Sequence, residues 1–271
     1  MSPASLTLVL PAYNEEGRLG AALDELFGYL RQRHAGTLPE ADANVLPDDI
    51  RVVVVDDGSA DRTADIAASR PEAAGSIEGV SLRVLSVPHG GKGAAVRAGM
   101  LDASSDLIIF TDADMATPPD QLPLLIRALA TADVALGSRI QPDGSDMRTS
   151  QPFYRRLLGK LFHLLASLLV VGPVQDTQCG FKGFTRAAAH DVFAQQRIRS
   201  IVFDVELIYL CRRRGYRLAI VPIQWYDRLG SRMQPRFGLA LRVAWDLFRI
   251  PLIHRRVKRV AGLASADQRP G

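Results

Sequence analysis

Two carboxylates stand two residues apart where the chain leaves an apolar segment. Asp112 and Asp114 follow Leu107–Phe110, a run typical of a buried strand. Side chains at i and i+2 of an extended segment project from the same side. Two oxygen ligands held in this way suit a hard divalent cation, which completes its coordination with water and substrate phosphate oxygens. A metal at this position could neutralise a leaving diphosphate, although a short acidic turn that is only solvated has the same sequence.

Length and composition are those of an ordinary folded protein. The chain has 271 residues, of which 47% are hydrophobic and 23% are charged, and this allows a sizeable buried core. Cys179 and Cys211 are far apart and lack the spacing of metal ligands, which predicts two buried, reduced thiols in a cytosolic protein. The N-terminal segment has neither the basic stretch nor the apolar core of a signal peptide, so a secretion signal is not expected.

Charge is concentrated near the C-terminus. Between Arg236 and Val260 there are seven basic residues and one acidic residue. Apolar residues recur among them at helical spacing: Leu239, Val243, Leu247, Ile250, Ile253 and Val257. A basic amphipathic helix of this kind suits an anionic membrane surface, and a helix packed on its own domain gives the same pattern. No apolar run reaches the roughly 18 to 20 residues of a spanning helix; the nearest is 161–171.

The first half of the chain alternates strands with helices. Buried strands are predicted at Leu6–Leu10, Arg51–Val55, Leu82–Val87, Leu107–Phe110 and Ala132–Gly137. We expect Asn14 to cap the first helix and 36–49 to be a loop insertion. This alternation predicts a parallel sheet that is covered by helices on both faces.

In the second half of the chain, strands and helices do not alternate regularly. Strands are predicted at Phe181–Phe184 and Tyr216–Trp225, and helices at 152–171, Arg186–Gln195 and Asp204–Arg214. Asp204 and Glu206 stand at the start of the last of these helices, where helix capping explains them as well as a functional role does. Because no linker separates the two halves, we expect them to share one sheet.

Polar clusters follow four of the predicted strands. They are 13–15, Asp56-Asp57, 89–93 and Asp112-Ala113-Asp114. Ligands of open α/β sheets bind beyond the carboxyl ends of the strands, so all four clusters are expected at one rim. A dinucleotide-dependent dehydrogenase is excluded, because the turn after the first strand lacks the G-x-G-x-x-G pattern.

Taken in chain order, these clusters resemble the family 2 glycosyltransferases that have a GT-A fold. The matching segments are 10–16, 54–59, Gly91-Lys92-Gly93 and Asp112-Ala113-Asp114. Downstream segments are similar to the dolichyl-phosphate glucosyltransferase branch, which includes bacterial polyprenyl-phosphate sugar synthases: 137–139, 176–182, 203–207 and Trp225 followed by Gly230-Ser231. The resemblance covers about residues 5 to 235.

The resemblance implies a fold and a division of the chain. The fold is α/β, a GT-A or Rossmann-like nucleotide-diphospho-sugar transferase, with a mostly parallel central sheet flanked by helices. Residues 1–235 would form the catalytic domain. The charge pattern, rather than the resemblance, makes 236–271 a basic amphipathic C-terminal helix and tail, which either associates with the membrane surface or packs on the domain. The protein would then lie on the cytoplasmic face of the membrane.

The resemblance also implies an activity. It is the inverting transfer of a hexose from a nucleotide sugar to polyprenyl or dolichyl phosphate, with Mg²⁺ or Mn²⁺ as cofactor. The branch favours UDP-glucose as donor, with GDP-mannose next, and no nucleic-acid partner is expected. A soluble acceptor, such as a small hydroxy acid or a saccharide, and a non-catalytic binding module are the alternatives. The sequence does not define the oligomeric state.

Donor-binding residues are carried over from the matching motifs. They are Pro11, Tyr13, Glu15, Val55, Asp57, Lys92, Asp112, Ala113 and Asp114. A ring can stack on the base, and carboxylates can accept from imide N–H or hydroxyl groups. Lys92 lies between two glycines at a helix start, where free N–H groups and an ammonium face the rim. Ordinary turns are the alternative for Tyr13, Glu15 and Lys92.

The metal is assigned to Asp112 and Asp114, with Asp114 the more direct ligand. It would act as a Lewis acid for the departing nucleoside diphosphate. Some relatives place a polar side chain two residues further on, but Ala116 stands there, so a third protein ligand is unassigned.

An acceptor phosphate needs cations rather than a strong base, because it is a dianion near neutral pH. Arg139 is the first candidate, since a guanidinium fork matches phosphate, and the weaker ones are Arg155, Arg156 and Arg232. A solvated surface arginine is the alternative for each of them. Asp176 stands where the family has an acid near the reacting centre, although a loop Asx turn would also explain it. The catalytic residues predicted from the sequence are Asp114, Asp176 and Arg139.

Overall fold

The computed structural model describes residues 3–147, 170, 176–228 and 237–261, and the strands in these ranges form a seven-stranded sheet. The strands are β1 Ser5–Ala12, β2 Asp49–Asp56, β3 Val80–Ser86, β4 Leu107–Phe110, β5 Val134–Ser138, β6 Lys182–Thr185 and β7 Leu218–Pro222. Their order across the sheet is β3-β2-β1-β4-β6-β5-β7. Only β6 runs against its neighbours, β4 and β5. The predicted mostly parallel sheet, shared by both halves of the chain, is confirmed.

Helices cover both faces of this sheet. They are α1 Leu19–His34, α2 Glu40–Ala43, α3 Thr63–Ala68, α4 Lys92–Asp102, α5 Leu122–Leu129, α6 Arg186–Gln195, α7 Phe203–Arg214 and α8 Phe237–Ile253. Along β1, Leu8 and Leu10 belong to the core under α1 and α5, whereas Val9 belongs to the core under α4, α6 and α7. Successive residues of a strand point to opposite faces, so a run that is apolar throughout requires both layers.

The strand register brings the polar clusters to one edge. Ala12 at the end of β1 pairs with Asp56, and Asp56 pairs in turn with Ser86 at the end of β3. Phe110 at the end of β4 lies beside Lys182, the first residue of antiparallel β6. The segments that follow β1 to β4, and the segment that precedes β6, therefore meet at a single rim.

Asn14 does not cap α1, which begins five residues later at Leu19. Asn14 has a φ of 52°, and its side-chain oxygen accepts a hydrogen bond of 2.8 Å from the N–H of Ala60. The residue therefore joins the turn after β1 to the turn after β2. The predicted loop insertion at 36–49 contains the short helix α2.

Asp204 and Glu206 do not cap α7 but lie buried among other elements. Asp204 forms an ion pair with Lys182. Glu206 accepts hydrogen bonds of 2.8 Å from the N–H groups of Arg197 and Ile198. Its Oε1 also lies 2.6 Å from Nε2 of His254, the residue after α8. Asp204 and Glu206 therefore serve in tertiary contacts, and the local sequence does not indicate these contacts.

The C-terminal helix packs on the domain. Leu247 and Ile250, from the apolar stripe noted in the sequence, are fully buried against the core that contains α7. The helix ends at Ile253, so four of the seven basic residues follow it. No helix in the described ranges is long and apolar enough to cross a bilayer. The predicted helix at 152–171 lies outside the described residues apart from residue 170.

The substitution Glu206→Gln tests the buried carboxylate that joins α7 to α8 and to 197–198. The side-chain amide of the glutamine has only one oxygen, so its NH2 group would face a backbone N–H group that needs an acceptor. We therefore expect the free energy of unfolding to fall by about 3 kcal/mol. Urea denaturation measures it, with the exposed Glu78→Gln as the matched control. A change equal to that of the control would show that the buried contacts contribute no net stability.

Candidate active site

A tight turn after β4 presents Asp112 and Asp114 at the rim. The N–H of Met115 donates to the carbonyl of Asp112 at 3.2 Å, and the N–H of Ala116 donates to Oδ1 of Asp114 at 3.1 Å. Met115 has a φ of 49°, and it shares this unusual backbone conformation with Asn14 at the neighbouring strand end. Among the described residues these are the two non-glycines with positive φ, and such conformations concentrate at functional sites.

Lys92 meets Asp112 directly. Its Nζ lies 2.5 Å from Asp112 Oδ1, and about a third of each side chain is exposed (34% and 36%). Burial lowers the pKa of Lys92, but the negative charges of Asp112, Asp204 and Asp114 and the hydrogen bond to Asp112 together outweigh it and leave the pKa above its usual value, so the ammonium is charged. The polar clusters 89–93 and Asp112-Ala113-Asp114 were predicted to lie at the same rim, and this contact confirms it.

Gly180 packs against the other side of the Asp112 carboxylate. A Cβ at this position would overlap both carboxylate oxygens of Asp112. The loop before β6 can lie this close only because residue 180 has no side chain. In the sequence, Gly180 was noted only as part of the segment 176–182. Nothing in that segment indicated that Gly180 would contact Asp112.

The surroundings of Asp114 disfavour its ionised form. Burial raises its pKa, and the negative charge of Asp112 raises it further. A divalent cation relieves both effects, since it replaces lost solvation and offsets the repulsion. The two carboxylates therefore fit a metal in charge and in type of ligand, and Lys92 would share Asp112 with it. Within the described ranges, no group of three or more acidic, histidine or cysteine side chains forms a more complete metal site.

Asp57 shapes the loop that leads to Lys92. Its carboxylate accepts hydrogen bonds from the N–H groups of Gly90, at 2.8 Å, and Gly91, at 2.9 Å. Nδ1 of His89 lies 2.9 Å from the same carboxylate, and the His89 ring stacks on Tyr13 with centroids 4.3 Å apart. Asp57 thus has a positioning role in the structure, and its contact with a donor remains a prediction.

The other predicted donor residues divide into exposed and buried groups. The Glu15 carboxylate receives two hydrogen bonds from the Arg18 guanidinium, at 2.6 and 2.7 Å, at the edge of the rim. Pro11 pairs with Val55 across the sheet. The side chain of Val55 is fully buried beneath α4, so the prediction that Val55 binds the donor can hold only for its backbone. Ala113 is also buried.

Arg139 and Asp176 form a buried ion pair at the end of β5. The guanidinium donates from Nε at 2.8 Å and from Nη2 at 2.6 Å, and the backbone N–H of Arg139 donates at 2.9 Å to the same carboxylate. Burial lowers the pKa of Arg139, but these bonds to Asp176 raise it above its usual value. The ring of Trp225 lies 5.6 Å from the guanidinium carbon. Asp176 therefore orients Arg139.

Lys182 fixes the loop 176–181 through contacts on its buried side. This fully buried lysine donates to the carbonyl of Cys179 at 2.5 Å and forms the ion pair with Asp204. An unpaired charge this deeply buried would be very unfavourable, so the two partners fix each other. The predicted buried thiols are observed: Cys179 and Cys211 are free and buried, and burial raises the pKa of Cys179 to about 11.

The segment after β7 lies over the Asp112–Asp114 turn. The N–H of Tyr226 donates to the carbonyl of Ala116 at 2.8 Å, and Arg228 donates to the carbonyl of Met115 at 3.2 Å. Sequence reasoning did not assign this segment to the rim. Arg155, Arg156 and Arg232, predicted to bind the acceptor phosphate, lie outside the described residues.

The substitution Gly180→Ala tests the packing against Asp112. The added methyl group must displace the carboxylate or the loop, so we expect Mn²⁺ affinity to fall at least about 10-fold. Titration with Mn²⁺ followed by electron paramagnetic resonance measures the free ion. Gly28→Ala is the control, because a Cβ there meets nothing within 4 Å. Equal affinities in the two variants would remove Asp112 from the metal site.

Comparisons with known proteins place the chain in a family. The sequence matches Glycosyl transferase family 2 over residues 7–193. It is 37% identical to the dolichyl-phosphate beta-glucosyltransferase of Drosophila melanogaster, with 90% of this chain and 74% of that protein covered. It is 34% identical to the Homo sapiens protein of the same name, with 91% and 75% covered.

Solved structures agree on the fold. Glucosyl-3-phosphoglycerate synthase from Mycobacterium tuberculosis, in complex with Mn²⁺, UDP and glucosyl-3-phosphoglycerate, is similar with a TM-score of 0.58 at 19% identity. The comparison covers 96% of this chain and 82% of that one. The same enzyme with Mg²⁺ and UDP gives a TM-score of 0.60. The resemblance seen in the motifs is thereby confirmed, and the chain belongs to glycosyl transferase family 2.

Proposed function

We propose that this protein transfers glucose from UDP-glucose to the phosphate of dolichol or a related polyprenol, with inversion at the anomeric carbon. The observation that carries the proposal is the meeting of Asp112, Asp114 and Lys92 at one rim of the sheet. The chain also shares 34–37% identity with proteins named dolichyl-phosphate beta-glucosyltransferase. An α-linked nucleotide sugar gives a beta product only if the configuration inverts.

A divalent cation, Mg²⁺ or Mn²⁺, is part of this proposal. Asp112 and Asp114 would hold it, and when bound it supplies positive charge that stabilises the departing nucleoside diphosphate. Solved neighbours support the choice, since they were crystallised with Mn²⁺ and UDP-glucose or with Mg²⁺ and UDP. Lys92 contributes a second positive charge next to Asp112.

The donor occupies the rim formed by the turns after β1, β2 and β4. Tyr13, exposed and stacked on His89, offers a ring face for a base, and Glu15 and Pro11 lie on the same turn. Asp57 holds the backbone of Gly90 and Gly91, which fixes the start of α4 and thereby Lys92. GDP-mannose is the second candidate for the donor.

The transfer requires no proton to move. An oxygen of the acceptor phosphate forms a bond to the anomeric carbon, while the bond from that carbon to the diphosphate oxygen breaks and its electron pair leaves with the diphosphate. Arg139 receives the acceptor phosphate through N–H groups beyond the two that bond to Asp176. Asp176 fixes the plane of the guanidinium, and Arg155 and Arg232 are further candidates for the same phosphate.

A soluble phosphorylated acceptor is the second candidate. It is favoured by the neighbour that was crystallised with phosphoglyceric acid, at a TM-score of 0.59 and 18% identity. The higher identity to the dolichyl-phosphate enzymes supports the lipid acceptor more strongly. With that acceptor, the protein works at the cytoplasmic face of a membrane, with residues 1–235 as the catalytic domain and 236–271 as the part that contacts the surface.

Labelled UDP-glucose, Mn²⁺ and a short polyprenyl phosphate in detergent test the activity. We expect label to enter the organic phase as an acid-labile lipid product and to disappear from it when EDTA is added. Parallel reactions with GDP-mannose and with 3-phosphoglycerate test the other donor and acceptor. Label transferred only to 3-phosphoglycerate, or no transfer with either hexose donor, would contradict the proposed function.

The substitution Asp114→Asn separates the role of this residue in catalysis from its role in stability. Removal of a metal ligand should lower kcat at least about 100-fold. The raised pKa means that the folded protein binds the proton of Asp114 more tightly than the unfolded chain, so ionisation at neutral pH costs stability. The free energy of unfolding of the metal-free protein should therefore rise at pH 7, and the gain should vanish at acid pH.

Denaturation at several pH values and initial rates measure the two effects. Asp65→Asn, at an exposed position on α3, is the control for both. Full turnover in Asp114→Asn would show that Asp114 does not bind the metal. A loss of stability at pH 7 would show that the carboxylate is favourably solvated after all.

A further inference from the structure

Helix α8 has apolar residues on two opposite faces. Leu247 and Ile250 are fully buried against the domain, and His254 just after the helix is buried with them. Trp245, Phe248 and Leu252 are 60%, 55% and 54% exposed. At about 100° per residue, these three positions fall within an arc of about 60° that lies opposite the buried ones. We call Trp245, Phe248 and Leu252 the outer face.

Two tertiary contacts, one of them fully buried, fix the orientation of α8. Asp246 accepts a hydrogen bond of 2.7 Å from the Ser200 hydroxyl, and His254 lies 2.6 Å from Glu206. One contact lies in the middle of the helix and the other just beyond its C-terminus, so the helix cannot roll to bury the outer face. The exposure of the outer face is therefore a property of the fold.

Aromatic side chains dominate the outer face, and their rings group together. The centroids of Trp245 and Phe248 are 6.2 Å apart. Contiguous exposed apolar groups with polar residues beside them are typical of interaction sites. Tryptophan in particular favours the boundary between headgroups and acyl chains, where one part of the indole is apolar and its N–H is solvated.

Basic residues lie along one edge of the outer face. From Arg242 to Arg259 there are six basic residues and one acidic residue, the buried Asp246, whose Oδ1 lies 3.7 Å from Nη1 of Arg249. Arg242 is exposed and lies next to the outer face on the helix, as does the partly exposed Arg249. Exposed aromatic residues flanked by arginine match a bilayer with anionic headgroups, whose phosphates would pair with the guanidinium groups.

We propose that the outer face of α8 docks the protein on an anionic lipid bilayer. Trp245, Phe248 and Leu252 insert at the boundary of the acyl chains, and Arg242 and Arg249 bind headgroup phosphates. A second copy of the chain is a poorer partner, because a two-fold contact through this face would bring the same arginines together. The inference deepens the proposed function, since it rests on a lipid-linked acceptor and names the surface that meets the membrane.

The docking helix lies close to the candidate active site. Ser200, which bonds to Asp246, follows Arg199, whose carbonyl accepts a hydrogen bond of 3.1 Å from the N–H of Gly93. Gly93 is the neighbour of Lys92 at the start of α4. A single short loop therefore joins α8 to the start of the helix that carries the Lys92–Asp112 pair.

Vesicle binding by the full chain tests this surface without donor or acceptor. We expect flotation with vesicles of phosphatidylcholine and phosphatidylglycerol, and at least about 10-fold weaker partitioning with phosphatidylcholine alone. The variant Trp245→Ser/Phe248→Ser/Leu252→Ser should partition at least about 10-fold more weakly to anionic vesicles. Leu252→Ser and Ile220→Ser form the matched pair of single variants, because Ile220 is also aliphatic and 51% exposed, but on β7.

Tryptophan fluorescence locates the contact. The chain has two tryptophans, so Trp225→Phe leaves Trp245 as the only reporter. Its emission should shift to shorter wavelength on anionic vesicles and be quenched by brominated acyl chains. Unchanged emission, equal flotation of the triple variant, or equal losses in Leu252→Ser and Ile220→Ser would overturn the proposal. So would a dimer that the triple variant abolishes, since a second copy would then cover the face.

The two proposals can fail separately. Docking without formation of glucosylated lipid would leave the surface in place and contradict the proposed function. Transfer to a polyprenyl phosphate in detergent, together with no binding to anionic vesicles, would support the function and overturn the docking surface. Circular dichroism tests whether the triple variant is folded, and a native spectrum is expected because all three changes are at exposed positions.

Discussion

The candidate site depends on the position of one carboxylate, that of Asp112. Its charge is matched by Lys92, 2.5 Å away, and its other side is closed by Gly180, which has no room for a side chain. These partners come from the start of α4 and from the loop before β6, so one carboxylate contacts two segments that are far apart in the chain. Asp114 lies beside this carboxylate in a partly desolvated turn, where its negative charge is unfavourable. A rim that concentrates charge in this way is suited to a cation and a diphosphate.

Buried ion pairs behind the rim hold its loops in place. Lys182 and Asp204 fix the loop that carries Gly180, and Glu206 fixes the backbone that packs on Gly93. Such pairs add little net stability compared with apolar packing, but breaking one leaves an uncompensated charge. Their value here is geometric, because they leave few alternative positions for the loops around Asp112. The same network reaches α8 through His254, which connects the C-terminal helix to the interior.

Local patterns predicted most of the fold, because apolar runs and their spacing determine strands and helices. β4 and α6 have the predicted bounds, and the polar clusters after β1 to β4 meet at one rim as the topology requires. Contacts between distant segments were not predictable. The Arg139–Asp176 pair, the burial of Asp204 and Glu206, and the contact between Gly180 and Asp112 all depend on packing. The apolar stripe of α8 was visible in the sequence, and its members Leu247 and Ile250 are buried, but the contacts of α8 with Glu206 and Ser200 were not predictable.

Binding of UDP with and without Mn²⁺ tests most directly whether Asp112 and Asp114 form a site for a metal and a diphosphate. Isothermal titration calorimetry of the purified chain gives both affinities under the same conditions. If the two carboxylates hold the cation that the diphosphate needs, UDP should bind at least about 10-fold more tightly with Mn²⁺ than with EDTA, a difference of about 1.4 kcal/mol. Equal affinities in the two titrations would contradict the account.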